Sequence, residues 1–223
     1  MAAQQTTGAT TYTAELLARR WISENTFEIK LTRPPAFQFE PGQRIRMIHE
    51  DIERDYSLIS APQDSSLALC IRHIAGGAYS SILVDARIGE SLCFSGPHGY
   101  FLFYTSRRPA VLIATGTGIA PFCAMARSGL KGFTLLHGIR SPDELYYASL
   151  FRARAKLYIA CLSTDQQLPP GSFCGRVTGY LKNNLPLETY DFYLCGRSEM
   201  IRDATSIIDD RFKGSLVYTE IFY

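Results

Sequence analysis

Three short stretches of this chain combine residue types that can hold a flat, phosphorylated ligand. The first is Arg54-Asp55-Tyr56-Ser57-Leu58. On a strand, Tyr56 and Leu58 point to one face while Asp55 and Ser57 point to the other. A guanidinium fork suits a diphosphate, an aromatic suits a flat ring, and a hydroxyl can meet a ring nitrogen. An ordinary edge strand with a solvated arginine would look the same. The second is Val111-Leu112-Ile113-Ala114-Thr115-Gly116-Thr117-Gly118-Ile119-Ala120-Pro121. Its four leading apolar residues read as a parallel strand covered on both faces. Gly116 and Gly118 carry no Cβ, so a ring and a diphosphate can lie directly on the backbone. Pro121 suits the first turn of a helix, predicted over 121–128, whose free amides would face the diphosphate. Any strand-turn-helix of an α/β domain shares this form. The pattern G-x-G-x-x-P also departs from the G-x-G-x-x-G fingerprint, because a proline replaces the third glycine. The third stretch, Gly76-Gly77-Ala78-Tyr79-Ser80-Ser81-Ile82-Leu83, predicts a turn into a short helix. Ser80 is placed near its N-cap, beside free N–H groups that suit an anion; a simple capped helix accounts for it equally well.

Two different rhythms must position these stretches. From Thr11 to about Tyr104 the pattern is β: Thr26-Phe27-Glu28-Ile29-Lys30-Leu31 and Leu67-Ala68-Leu69-Cys70-Ile71-Arg72 alternate, with Pro and Gly turns between the strands. Several short strands at this spacing suggest a small barrel. After Arg107-Arg108-Pro109, strand-like runs at 111–114, 133–137, 157–162 and 192–195 alternate with helical stretches near 121–129, 142–154, 176–184 and 198–212. That alternation implies βαβ units and a parallel sheet. The expected fold is therefore two domains: an N-terminal antiparallel β-barrel at 10–107, then an α/β parallel-sheet domain at 108–223.

Composition narrows the function classes. The chain has 223 residues, 46% hydrophobic and 20% charged, the proportions of a soluble globular protein. A net charge of +2 gives no electrostatic case for nucleic acid. No apolar run approaches the ~20 residues that span a bilayer. Six dispersed cysteines form no C-x-x-C pair, which excludes a zinc ribbon and four-cysteine iron–sulfur spacings. No metal site is expected. Scattered thiols without a secretory leader fit a reducing cytoplasm, and a monomer is expected there.

Arg-x-Tyr-Ser, Gly-x-x-Ser-x-x-Leu, Gly96-Pro97-His98-Gly99-Tyr100-Phe101, Gly-Thr-Gly-x-x-Pro and Tyr193-Leu194-Cys195-Gly196 follow one another along the chain. Five such motifs in this order, spread over nearly the whole length, resemble the ferredoxin–NADP reductase superfamily. The resemblance implies a flavin-binding barrel followed by a nicotinamide-dinucleotide domain. It implies that Arg54 contacts the FAD diphosphate, that Tyr56 packs on the isoalloxazine, and that Ser57 sits beside flavin N5. Gly77, Tyr79, Ser80 and Ser81 match the second diphosphate loop, and His73 lies on the strand beside the flavin, where a packed strand residue is the plainer reading. Thr115, Gly116, Thr117, Gly118 and Gly196 match the nicotinamide cradle, and Cys195 the cysteine near the nicotinamide ring. Free cysteine is also a good small core residue.

In Val217-Tyr218-Thr219-Glu220-Ile221-Phe222-Tyr223 the resemblance aligns Glu220 and Phe222 with an acidic residue and a flavin-covering aromatic. Tyr223 fills the aromatic role instead after a one-residue shift, and a terminal strand with a buried aromatic is the alternative. Ser57, Cys195 and Glu220 are the implied catalytic groups. Choice of dinucleotide stays open. The sequence Ser163-Thr164-Asp165 lacks the arginine that follows serine in phosphate-selective members, yet Arg140 and Arg176 hold positions that can bind dinucleotide phosphates. The implied activity moves electrons from NAD(P)H, as co-substrate, through FAD to a separate one-electron carrier: a flavodoxin, or a ferredoxin or other iron–sulfur protein. An NAD(P)H:flavin reductase that releases its flavin, and a non-enzymatic flavin- or nucleotide-binding regulatory subunit, are the rival readings.

Overall fold

A computed structural model describes residues 10–164 and 170–222. The first half is a six-stranded antiparallel sheet of β1 (Thr11–Ser23), β2 (Thr26–Thr32), β3 (Arg44–His49), β4 (Ile52–Ser57), β5 (Ser66–Arg72) and β6 (Ser91–His98). The strand order is β4-β3-β6-β1-β2-β5. An antiparallel bridge between Leu58 and Leu69 joins the two ends and closes the barrel. Alternation drives this arrangement. Phe27, Ile29 and Leu31 of β2 and Leu67, Leu69 and Ile71 of β5 enter one core with Phe37, Ile45 and Phe94. A short helix, α1 (Ala78–Asp85), follows β5.

The second half is an all-parallel sheet: β7 (Ala110–Thr115), β8 (Thr134–Ile139), β9 (Leu157–Leu162), β10 (Phe173–Cys174), β11 (Asp191–Gly196) and β12 (Leu216–Ile221). Its order is β10-β9-β8-β7-β11-β12. The helices are α2 (Ala120–Arg127), α3 (Ala148–Arg154), α4 (Val177–Asn183) and α5 (Ser198–Arg211). Residues 111–114 of β7 and 192–195 of β11 are apolar and buried because both faces of the sheet are covered. The two-domain architecture expected from the sequence is the one observed.

One helix differs. The stretch 142–154 is broken into a 3₁₀ turn at Pro142–Glu144 and α3. Tyr147 lies between them at φ 56°, a left-handed conformation that an α-helix does not admit. Its hydroxyl donates to Glu28 Oε2 at 3.0 Å across to β2, and Tyr146 OH lies 2.8 Å from Thr26 Oγ1. Tertiary bonds to the barrel outweigh helical continuity here.

β5 serves two cores. Its odd positions fill the barrel, while Ala68 and Cys70 belong to a second cluster with Phe101, from the segment after β6, and Phe122, Cys123 and Tyr193 of the parallel half. Period-two geometry puts Arg72 on the same face as Ala68 and Cys70, turned toward the parallel sheet.

Candidate active site at the seam of the two sheets

β7 is the point where the parallel sheet reverses its direction of growth, since β8 lies on one side of it and β11 on the other. In open α/β sheets ligands lie outside the carboxyl ends of the strands at that point. Here those ends are Thr115-Gly116-Thr117 after β7 and Gly196 at the end of β11. They border a cleft of about 520 Å³ that also takes in Arg140, Ser163 and Arg176. A second cleft, of about 790 Å³, opens on the barrel side, lined by Arg54, Tyr56, Ser57, Gly77, Tyr79 and Ser80. The clefts share Arg72, Ile74, Thr117 and Phe222. Both volumes are those of small-molecule sites.

The barrel-side cleft is polar at one end and aromatic at the other. Tyr56 and Tyr79 have ring centroids 6.3 Å apart. Burial pushes the Tyr56 hydroxyl up to about 12, against the opposing charge of Arg54. Arg54 is exposed and spends one N–H on the carbonyl of Glu53 at 2.7 Å. Ser57 is 2% exposed, and its Oγ has no hydrogen-bond partner among the described residues. Buried hydroxyls are normally satisfied, so Ser57 leaves an open hydrogen-bonding position at the wall of this cleft.

An ion network crosses the floor. Glu220 of β12 pairs with Arg44 of β3 at 2.6 Å, Arg44 with Asp55 at 2.9 Å, and Asp55 with Arg46 at 2.7 Å. Burial raises the Glu220 carboxyl above its ordinary value, and Arg44 only partly offsets this. Burial would raise Asp55 as well, but its hydrogen bonds and charge pairs with Arg46 and Arg44 outweigh it and hold that carboxyl low. The alternation Arg44-Ile45-Arg46-Met47, which puts both guanidinium groups opposite two buried apolar residues, was the sequence signal for this pair. Sequence reasoning missed Arg44, Arg46, Arg72 and also Arg197, which borders the dinucleotide-side cleft.

Several expected site residues lie elsewhere. His73 follows β5 and packs edge-on to Trp21 with centroids 5.9 Å apart, outside both clefts, because its backbone N–H turns to Asn25. Ser81 is half-buried in α1 and borders neither cleft. Ser80 is not the N-cap of α1: Gly77 is, and Ser80 Oγ accepts from the Ile74 N–H at 3.2 Å. Cys195 is fully buried in the second core and borders neither cleft. Burial holds its thiol well above the usual range, with Glu220 adding to the effect. Gly118 is buried too. A Cβ there would lie 2.4 Å from the Cys195 carbonyl oxygen, so the missing side chain admits β11 rather than a ligand. Gly116 has φ +54°, and a Cβ on it would meet nothing nearer than Arg72 Nη1 at 4.0 Å, so its backbone lies open to the cleft. Tyr223 and Asp165 lie outside the described residues, so of the two C-terminal aromatics only Phe222 is placed, with its N–H on Gly196 O at 2.9 Å.

The sequence matches the family model of an oxidoreductase FAD-binding domain over residues 13–103 and that of an oxidoreductase NAD-binding domain over 112–206. The chain belongs to the ferredoxin–NADP reductase superfamily. It is 30% identical to the toluate 1,2-dioxygenase electron transfer component of Pseudomonas putida, over 88% of this chain and 63% of that protein. It is 32% identical to ferredoxin–NADP reductase B of Sorangium cellulosum, over 65% of each. The chain thus spans somewhat under two thirds of the length of these curated relatives. Its fold matches a Neisseria gonorrhoeae ferredoxin NADP+ reductase solved with FAD and NADP, with TM-score 0.86, 22% identity, and 97% and 100% of the two chains covered. In this superfamily member the barrel-side cleft belongs to the FAD-binding domain and the switch-point cleft to the NAD-binding domain. The orphaned Ser57 hydroxyl and the open Gly116 turn fit those two groups. Among the described residues no helix is long and apolar enough to cross a membrane, and no cluster of His, Cys, Asp and Glu could hold a metal ion.

Proposed function

We propose that the chain is the reductase unit of an electron-transfer system, taking electrons from NAD(P)H and delivering them through FAD to a separate ferredoxin-type carrier. The observation that carries this reading is the meeting of the two clefts at Arg72, Ile74, Thr117 and Phe222. A donor seated in one cleft and an acceptor in the other can meet along these shared residues. Bound FAD supplies the chemistry that converts an electron pair into single electrons. Domain units at 10–107 and 108–223 are part of the proposal.

The chain's own residues then act by position. Arg54 offers a free guanidinium to the flavin diphosphate, and Tyr56 an aromatic wall. Ser57 Oγ offers a buried hydroxyl to a ring nitrogen. Thr115, Gly116 and Thr117 present backbone to the dinucleotide, and Arg140, Ser163 and Arg176 line the way out toward its far end. Phe222 borders both clefts, so a ring stacked there occupies space that the nicotinamide needs, and it must yield for the two rings to approach at ~3–3.5 Å. Glu220, held by Arg44, closes the floor and keeps a carboxyl next to the reacting ends. The acceptor is proposed by likeness to the relatives, whose names are those of electron transfer components and ferredoxin reductases.

Anaerobic titration of the purified protein with NADH, and separately NADPH, tests the reading. Co-purifying FAD should bleach with one equivalent of at least one dinucleotide, and an added ferredoxin should recolour it. Flavin that stays oxidised with both would refute the proposal; flavin washed out on a desalting column would point to a flavin reductase.

A further inference from the structure

β12 is the outer strand of the parallel sheet, hydrogen-bonded on one side to β11. Their pairing runs to Ile221 opposite Gly196, and the Phe222 N–H on Gly196 O adds one more bond. The end of β12 is held a second time, by the barrel. Glu220, with its side chain 11% exposed, meets Arg44 Nη1 of β3 at 2.6 Å. Among the described residues two ion pairs cross from the barrel to the parallel half. This is the one within hydrogen-bond distance, since Arg72 and Glu144 stand 3.9 Å apart. The Arg44 guanidinium is aimed from behind. Its Nε donates to Asp55 Oδ2 at 2.9 Å, and Asp55 is itself fixed by two bonds from Arg46, at 2.7 and 3.2 Å. Gly99 leaves room beside it, because a Cβ there would lie 2.8 Å from Arg44 Nη1. The last glycine of Gly96-Pro97-His98-Gly99 thus makes way for the guanidinium that reaches Glu220.

We propose that Arg44 is a positioning residue for the nicotinamide: it pins the end of β12 to the barrel through Glu220 and so holds the Phe222 ring in the space that the two clefts share. On the function proposed above, on which this inference rests, that ring must yield to the nicotinamide, and the Arg44–Glu220 pair is what it yields against. Glu220 and Phe222 stand two positions apart on extended chain, hence on one face, and both border the barrel-side cleft. Wherever the carboxylate is held, the ring is held with it. Among the described residues Arg44 is the one hydrogen-bond partner of the Glu220 carboxylate. Without it a nearly buried charge is left unpaired, which is costly. Movement of the strand end toward water relieves that cost, and an outer strand resists with hydrogen bonds on one side alone. The restraint is also a moderate one. Arg44 is partly exposed, so a nicotinamide that displaces the ring works against one partly screened ion pair and not against the fold.

The test is calorimetric binding of NAD+, NADP+ and ADP-ribose to the FAD-loaded protein, with flavin occupancy read from absorbance. None of the three reduces flavin, so binding is read without turnover. Arg44→Met keeps an apolar stem and removes the charge. It should tighten NAD+ and NADP+ alike by about fivefold, the rise in open fraction that loss of one partly exposed ion pair produces. ADP-ribose carries no nicotinamide to compete with the ring and should be unmoved. Arg44→Lys keeps the charge without the fork that bridges Asp55 and Glu220, and should fall between Arg44→Met and wild type. Phe222→Ala should tighten NAD+ by at least as much as Arg44→Met. The double variant should bind no tighter than Phe222→Ala, since no ring is left to hold. Glu220→Gln weakens the same pair from its other side and should tighten NAD+ too, which keeps the test open if Arg44→Met does not fold. NAD+ binding that is unchanged or weaker in Arg44→Met and Glu220→Gln would overturn the proposal. So would ADP-ribose tightening in step with NAD+, gains that add in the double variant, or loss of flavin from Arg44→Met. Wild-type binding with unmoved variants defeats this inference alone; a wild type that holds no FAD, or binds neither NAD+ nor NADP+, defeats the function proposed above as well.

Discussion

Two glycines separated by one residue should fail in opposite ways when each becomes alanine. A Cβ on Gly118 would stand 2.4 Å from the Cys195 carbonyl oxygen, 2.7 Å from its carbon and 2.8 Å from Gly196 Cα. All three are backbone atoms, so no side-chain rotation relieves the overlap. Overpacking of this kind costs about 1–3 kcal/mol, and a clash with backbone belongs at the upper end. Alanine recovers at most about 1 kcal/mol through the unfolded chain. The net loss is about 2 kcal/mol, or roughly 4–8 °C in Tm for a chain of this size. Gly116→Ala meets no clash, but it puts alanine at φ +54°, a cost of about 1–2 kcal/mol. Its methyl stands where a diphosphate must approach the backbone. Gly116→Ala should therefore weaken dinucleotide binding by about tenfold, some 1.4 kcal/mol, with the smaller change in Tm. Thermal melts of the FAD-loaded variants, beside equilibrium binding of NADH, separate the two. Gly118→Ala melting within about 1 °C of wild type would refute the packing argument, and Gly116→Ala binding NADH as tightly as wild type would remove the turn from the dinucleotide site.

Thr164 is exposed, and its hydroxyl donates to the Arg140 carbonyl at 2.7 Å. Thr164→Arg adds a third guanidinium near Arg140 and Arg176, and should raise the NADPH-to-NADH ratio of kcat/KM by about tenfold; an unmoved ratio would show that the existing arginines or other groups set the preference. His137 is buried with Nε2 unpartnered among the described residues, and burial lowers its pKa to about 4. The folded protein thus keeps the ring neutral while the unfolded chain protonates it near 6.5. The sign follows: its stability contribution is full above pH 6.5 and falls as the pH drops toward 4, by about 3 kcal/mol in all. Urea midpoints at pH 7 and pH 4.5 should converge more in His137→Gln than in wild type, and equal slopes in the two proteins would refute this.

Both domains were legible because their patterns have different periods: alternation before Tyr104, and apolar runs spaced by helices after Pro109. The break at Tyr147 was not legible, because the residues that cause it, Thr26 and Glu28, lie about 120 positions away. Gly116 and Gly118 look equivalent in the sequence, and only the approach of β11 shows that one faces the cleft and the other the Cys195 backbone. Motif order puts Cys195 near the ring, whereas the apolar run Phe192-Tyr193-Leu194-Cys195 already reads as a strand covered on both faces, which is how the structure holds it. Ser57 is the reverse case: its position in Arg-x-Tyr-Ser was readable, while its unsatisfied hydroxyl appears only once β4 has closed against β5. The pairing of Arg44 and Arg46 on one face is readable from alternation, but their contacts with Asp55 and Glu220 exist only once β3, β4 and β12 have met.

On the function proposed above, packing at the seam positions the two ligands as much as any one polar group does. Ala68 and Cys70 are the small residues on the outer face of β5, and they lie in the same core as Phe101, Phe122 and Tyr193. Small side chains there let the parallel sheet approach the barrel closely. Gly118 does the same between the β7 turn and β11, where even a methyl group has no room. Protein interiors do not compress to absorb an extra methylene, so a larger residue at any of these positions pushes the carboxyl ends of β7 and β11 away from the barrel cleft. A near-attack separation tolerates only a fraction of an ångström, since a 1 Å misplacement can cost about a hundredfold in rate. On the function proposed above, the rate of hydride transfer therefore depends also on Ala68 and Gly118, which border neither cleft. Their small size is the feature that matters, and it places them in the core rather than among the motifs.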